Sequence, residues 1–233
     1  ILPADSFMTV SVNPASLMQK CEAGDLDQHP LYVRIKAELD KDQNLSAEEK
    51  EYLLALLKNP GESGIDVKKD FFFFAAMEGT VDAPVMRGGL LLPIGDKAKF
   101  DALLARINEK SGVAPETKGG VSVVDLGKEG DAGVLCAYNG VDDLAGDVRK
   151  LFAQQSGESL MGDKAVAEQL ARKNDINMVL SYGEILPMMN NPMLSSMPMM
   201  DALKGMTMVG SVNFEKGRIV TEAAVSYKDK ESE

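Results

Sequence analysis

The sequence predicts an α+β fold in which a largely antiparallel or mixed β-sheet has α-helices packed on it. Strand-like segments occur in pairs joined by short turns, and single helical segments alternate with these pairs. The 45% hydrophobic and 26% charged residues are typical of a folded globular chain, and 233 residues are enough to bury a substantial core. We therefore expect a single α+β domain over residues 1–233.

The first part of the chain predicts one strand followed by three helices. Residues 7–12 have a β-rich composition and end at Asn13-Pro14, a pair that stops a strand. Ser46 and Glu49, which stand three positions apart before an apolar run, form the pattern of a capping box. We expect helices over 15–21, 31–39 and 47–58.

Beyond residue 69 the pattern changes to strand pairs separated by helices. Residues 70–77 contain an uninterrupted apolar run, which is typical of a strand buried on both faces. Asp96 and Asp163 each precede a helical pattern as N-cap residues; the first helix is expected to end at Gly112 and the second at Arg172. We also expect a helix over 144–154 and strands over 86–92, 121–126, 133–138, 177–182, 206–213 and 218–225.

Two segments of the chain resemble each other. Residues 5–12 align with residues 175–182 and share three identities in eight positions, and each is followed by a helical pattern. Two interpretations stay open: shared strand chemistry, or a duplication in which a first module spans 1–174 and a second copy begins near Asp175.

The net charge of −11 restricts the classes of partner. An acidic chain repels phosphate backbones and anionic membrane surfaces, so we expect no nucleic-acid partner. The longest apolar runs have the length of a strand, well short of the roughly 20 residues that span a bilayer. The chain begins with Ile1 rather than Met, and we expect that an upstream segment such as a signal peptide has been removed.

Cys21 and Cys136 are too few for a disulfide framework and lack the spacing of metal ligands. Cys21 shares an apolar helical face with Leu17, and Cys136 lies in a strand-like run. Small core residues are the favoured interpretation. A Cys21–Cys136 bridge stays open for an oxidising compartment.

One acidic segment has part of the pattern of a calcium loop. Counted as an EF-hand, its positions 1, 3, 5 and 12 supply oxygen donors from Asp40, Asp42, Asn44 and Glu51. Position 6, which needs glycine for a sharp turn, is Leu45. An acidic turn between two helices is therefore the favoured interpretation, with calcium binding as the alternative.

A methionine cluster spans Met188–Met208. Thioethers are soft ligands that select Cu(I), and the closest spacing is that of Met193, Met197, Met199 and Met200. Core packing and a pliable apolar surface for a partner are the other interpretations, because methionine adapts its shape readily. Core packing is favoured.

The sequence predicts no catalytic residues and no cofactor. His29 stands alone as the single histidine, and the chain has no G-x-S-x-G nucleophile motif and no phosphate-binding glycine loop. Carboxylates are abundant, so a glycosidase-like pair stays open, although few aromatic residues are present to stack on a sugar.

Several motifs resemble those of a known family. They are Ile1–Asp5 before a strand, Asn13–Lys20, Asn59–Asp66 before an aromatic strand and, more loosely, Gly210–Phe214. Over its first 110 residues the chain is similar to an uncharacterised family of Bacteroidetes cell-envelope lipoproteins, a domain of unknown function. The resemblance implies export, acylation of an upstream cysteine absent here, and residence in the periplasm or outer membrane.

We therefore expect a non-catalytic, exported cell-envelope ectodomain that acts as a binding or scaffold module. Its partner would be an envelope protein or ligand of unknown identity, and its membrane association would depend on a lost N-terminal lipid anchor. The alternatives are a metal-buffering protein that uses the methionine cluster and a carboxylate-based hydrolase.

Overall fold

The structure is a computed structural model that describes residues 2–3, 5–20, 28–80, 83–111, 121–125, 133–138, 160–186, 203 and 205–227. Its strands are β1 (Ser6–Val12), β2 (Phe71–Thr80), β3 (Ala83–Leu92), β4 (Val121–Asp125), β5 (Gly133–Tyr138), β6 (Ile176–Ser181), β7 (Met206–Glu215) and β8 (Arg218–Tyr227). The helices are α1 (Pro14–Lys20), α2 (Pro30–Lys41), α3 (Ala47–Lys58), α4 (Lys97–Ser111), α5 (Lys164–Leu170) and α6 (Tyr182–Ile185). The helix expected over 144–154, and Gly112, lie outside the described residues.

The eight strands form one sheet in the order β4-β5-β3-β2-β1-β6-β7-β8, and every neighbouring pair is antiparallel. This arrangement confirms the predicted α+β fold with an antiparallel sheet. The two similar segments of the sequence become the central strands β1 and β6, with Thr9 opposite Val179. The middle of the sheet therefore joins an N-terminal strand to a strand from the C-terminal part of the chain.

The hydrophobic core lies on one face of the sheet, under helix α5 and the 3₁₀ turn Leu160–Gly162. It consists of buried side chains from the strands, the helix and the turn, namely Leu2, Phe74, Leu91, Leu160, Val166, Leu170, Val179 and Val209. Asp163 caps α5 as predicted, because its side chain accepts hydrogen bonds from the amides of Ala165 and Val166. The helix is thereby fixed above the centre of the sheet.

The prediction that the apolar run of β2 is buried on both faces is wrong. Phe74 and Ala76 are 3% and 1% exposed, but Phe73, which points to the other face, is 42% exposed. Helix α5 covers one face of the sheet, and alternate residues of a strand point to opposite faces. An apolar run thus gives the strand but not the burial of both its faces.

The helices of the N-terminal half are fixed by local caps. Ser46 and Glu49 form the predicted capping box at the start of α3, which spans the predicted residues. The carbonyl of Gly64 accepts hydrogen bonds from the amides of Gly95 and Asp96, at 2.9 and 3.0 Å. The Asp96 side chain then accepts from the Lys99 amide at 3.1 Å, so Asp96 caps α4 as expected.

Gly64 brings this loop against the start of α4 by a close backbone approach. Its φ is +81°, in the left-handed region. A Cβ atom at this position would lie 2.3 Å from the carbonyl oxygen of Asp96 and 2.4 Å from the amide nitrogen of Phe100. Any larger residue would therefore push α4 away from the loop.

Candidate functional site

A fully buried carboxylate lies where α1, β6 and β7 meet. The Oδ1 atom of Asp175 accepts hydrogen bonds from Ser16 Oγ (2.5 Å) and Lys20 Nζ (2.8 Å). Its Oδ2 atom accepts from Lys20 Nζ (2.7 Å) and from the amide of Phe214 (2.6 Å). Asp175 is 0% exposed, whereas the Lys20 side chain is 38% exposed. The carboxylate is thus held by one ammonium group and two neutral donors.

The backbone of Asp175 extends the same junction. Its carbonyl accepts from the amide of Asn13 at 2.8 Å, and its amide donates to Asn213 Oδ1 at 3.1 Å. Asn213 Nδ2 in turn donates to Asn174 Oδ1 at 2.9 Å. The chain entering β6 is therefore tied to the end of β1 and to β7.

Two opposing effects set the protonation of Asp175. Burial alone would raise the pKa of this carboxyl group. The hydrogen bonds from Lys20, Ser16 and the Phe214 amide, together with the charge of Lys20, lower the pKa by more than burial raises it. The net pKa lies below its ordinary value. Asp175 is therefore ionised at neutral pH.

A buried amide side chain, that of Asn177, lies two positions after the carboxylate of Asp175. The Nδ2 atom of Asn177 donates to Ser11 Oγ (3.1 Å) and to the carbonyl of Arg172 (3.2 Å). Its Oδ1 atom accepts from Gln169 Nε2 (3.0 Å) and Asn174 Nδ2 (2.8 Å). Two donors and two acceptor positions are all that an asparagine side chain offers. We call Asp175, Asn177 and the groups bound to them the polar centre.

Three buried hydroxyl groups on the strands have no hydrogen-bond partner: those of Ser6, Thr9 and Ser211. A nucleophilic serine or threonine needs a base within hydrogen-bond reach to remove its proton. None of these three hydroxyls contacts such a base among the residues that the structure describes. Within the described residues, the polar centre is arranged to bind strands and helices together.

The residues of the possible calcium loop lie in and around the turn between α2 and α3. Asp40 is in the last turn of α2 and Glu51 is in α3. Asp42 Oδ1 accepts from the amide of Asn44 at 2.8 Å, and Lys50 Nζ donates to the carbonyl of Asp40 at 3.1 Å. The part of the chain that the structure describes has no group of three His, Cys, Asp or Glu residues that could hold a metal ion.

Other residues singled out by the sequence lie elsewhere. Met193, Met197, Met199, Met200 and Cys21 are outside the described residues. Met206 and Met208 are half-buried in β7, and Cys136 pairs with Gly89 in the register of β5 and β3. His29 is half-buried just before α2, and its carbonyl accepts from the amide of Val33.

A shallow depression lies along one side of α2. It is open to solvent, has a volume of about 390 Å³ and is lined by Arg34, Ile35, Glu38, Leu39 and Asp42. These residues come from one helix and the position that follows it. The depression is a surface groove of a single helix rather than an enclosed site.

Strand β8 forms one edge of the sheet and is exposed along most of its length. Ile219, Val225 and Tyr227 are 64%, 49% and 59% exposed, and they share a sheet face with the part-exposed Met178 and Phe73. Its ten pairs with β7 show no register shift. Edge strands normally carry lysine, proline or a bulge, which prevent pairing with other chains. We call this strand border the β8 edge.

Sequence reasoning missed both features. The contact between Asp175 and Lys20 joins residues 155 positions apart, and no local sequence pattern predicts it. The one usable signal was the similarity of residues 5–12 and 175–182, which makes Asp175 the residue that leads into a strand. Nothing in residues 218–227 distinguishes an edge strand from an inner one.

No helix among the described residues is long and apolar enough to cross a membrane. A family model described as a domain of unknown function (DUF4836) matches residues 1–119, which is half of the chain. No curated protein and no solved structure matches the chain.

Proposed function

Because this chain belongs to the DUF4836 family, whose function is unknown, we propose its role from its own residues: a non-catalytic binding or scaffold module exported to the cell envelope. The observation that carries this proposal is the state of the polar centre. The Asp175 carboxylate accepts four hydrogen-bond contacts from within the chain, and the Asn177 amide makes four. A group that acts on a substrate needs a free position, and these groups have used theirs.

The binding part of the proposal is supported by the β8 edge. A ten-residue strand at the border of a sheet, with exposed apolar side chains, is a template for another strand. A scaffold protein needs such a surface together with a stable sheet behind it. The polar centre and the core under α5 supply that stability.

The export and lipid-anchor parts of the proposal rest on the sequence resemblance given above. The net charge of −11 is compatible with them, because acidic chains remain soluble near anionic surfaces that they do not bind.

The test uses cells that express the full reading frame. We expect the protein in the envelope fraction, labelled by a supplied fatty-acid analogue, and migrating in a complex heavier than its own monomer. Recovery in the cytosolic fraction, without label and as a monomer, would contradict the proposal. Residues 1–233 expressed alone serve as the control for labelling.

A further inference from the structure

Strands β1, β2 and β3 on one side of the sheet centre match strands β6, β7 and β8 on the other. Strands β2 and β3 have ten residues each, and so do β7 and β8; in both hairpins the last pair encloses two residues (Thr80 opposite Ala83, Glu215 opposite Arg218). Strand β1 pairs antiparallel with β2, and β6 pairs antiparallel with β7, although the β1–β2 pair has a register shift between Ser6 and Met8. Both halves thus repeat one three-stranded unit.

The registers of the two units also agree. One row of opposite residues crosses all six strands: Gly89, Phe74, Thr9, Val179, Val209 and Ala224. The row is symmetric about the pair of Thr9 and Val179, which also align in the similar segments 5–12 and 175–182. A two-fold axis through this pair therefore relates β3 to β8, with Gly89 equivalent to Ala224.

The symmetry is broken at the outer border of the hairpins. Strand β5 pairs antiparallel with β3 from Arg87 to Leu92, whereas no strand of the described residues pairs with the outer border of β8. Equal hairpin lengths make Glu222–Tyr227 the equivalent of Arg87–Leu92. This stretch of β8 is therefore where the second unit lacks the strand that the first unit has.

The chemistry of the stretch suits a paired strand better than a solvated border. Residues 223–227 carry no charge and no proline, and Val225 and Tyr227 are about half exposed. Glu222 faces Arg172 at 3.9 Å, so its charge is partly balanced. An exposed, uncharged border of this length pairs readily with another strand.

We propose that the β8 edge over Glu222–Tyr227 docks an extended, uncharged strand of a partner polypeptide, antiparallel to β8, as β5 docks on β3. The proposal deepens the binding role given above and rests on it. The partner strand has the character of Gly133–Tyr138, six uncharged residues, and basic residues flank it because this chain carries a net charge of −11. The same charge disfavours a second copy of this chain as the occupant.

The test uses a fluorescent peptide with the sequence of Gly133–Tyr138 and two lysines at each end, titrated with the full chain under reducing conditions. We expect Val225→Lys to weaken binding at least tenfold, because it puts a charge inside the docking stretch. Ile219→Lys is the matched control, since it makes the same change on the same strand and face but outside the stretch. It should bind as the wild type does.

A second control peptide has proline in place of Leu135 and should bind at least tenfold more weakly, because proline removes a backbone donor. Equal binding of the peptide by Val225→Lys and the wild type would overturn the proposal, and so would an absence of binding to the wild type. If the chain without peptide forms dimers, and Val225→Lys makes them dissociate, the proposal is also overturned, because a second copy would then be the occupant. None of these outcomes affects the location or lipid labelling of the protein, so the proposed function is tested separately.

Discussion

Replacement of Asp175 by alanine tests whether the polar centre holds the fold. The substitution removes an acceptor from Ser16, Lys20 and the Phe214 amide at once. Lys20 is 38% exposed and can return to water, so its ion pair contributes little once screening is counted. The Phe214 amide and the Ser16 hydroxyl are less able to do so, and a buried donor without a partner costs about 1–3 kcal/mol.

Together with the small cavity and the lost charged hydrogen bonds, we expect Asp175→Ala to lower the free energy of unfolding by about 3–5 kcal/mol. Urea denaturation followed by circular dichroism measures it; with a slope of about 3 kcal/mol/M the midpoint falls by roughly 1–2 M. Asp101→Ala is the control, because Asp101 forms an exposed ion pair with Lys97 and should cost at most about 0.5 kcal/mol. A loss below about 1 kcal/mol for Asp175→Ala would refute the structural role of the polar centre.

Three further predictions concern Asp175, Thr9 and Gly64. Since the folded pKa of Asp175 lies below its unfolded value of about 3.9, the stabilisation by this carboxylate is complete above that pH and is lost as the pH falls through the folded pKa. Urea unfolding of the wild type at a series of acid pH values should show a decline in the free energy of unfolding that Asp175→Ala lacks. Equal pH dependence of the wild type and the variant would contradict this. Thr9→Val should raise the free energy of unfolding by about 1 kcal/mol, because it removes a buried hydroxyl without a partner and keeps the shape of the side chain. Valine already stands at the opposite position, Val179. A decrease in the free energy of unfolding would mean that the hydroxyl is hydrogen-bonded. Gly64→Ala should lower the melting temperature and cost at least about 1–3 kcal/mol, because its φ is +81° and the new Cβ would collide with Asp96; an unchanged melting temperature would show that the loop does not approach α4 so closely.

Elements that depend on neighbouring residues were predicted well from the sequence. Helix α3 has the expected bounds and capping box, and the hairpin of β7 and β8 turns between the strands predicted over 206–213 and 218–225. Caps and turns depend on a few neighbouring residues, so one sequence is enough to predict them.

Features that depend on distant contacts were not predictable in this way. The order of the strands places β1 between β2 and β6, and the sequence separation of β1 and β6 hides that contact. The burial of Phe74 and the exposure of Phe73 follow from which face α5 covers, and Asp175 gains its role from Lys20 far along the chain. The sequence shows that residues 70–77 contain an apolar run and that Asp175 is acidic, but it does not show which distant residues pack against them.

Amide hydrogen exchange of the full chain, with and without the Gly133–Tyr138 peptide, tests the central claim most directly. That claim is that the polar centre holds the fold while the β8 edge binds. We expect the peptide to slow exchange in Glu222–Tyr227 and to leave the amides around Asp175 and along α2 unchanged. Protection at the polar centre or in the α2 depression, with none on β8, would contradict the account.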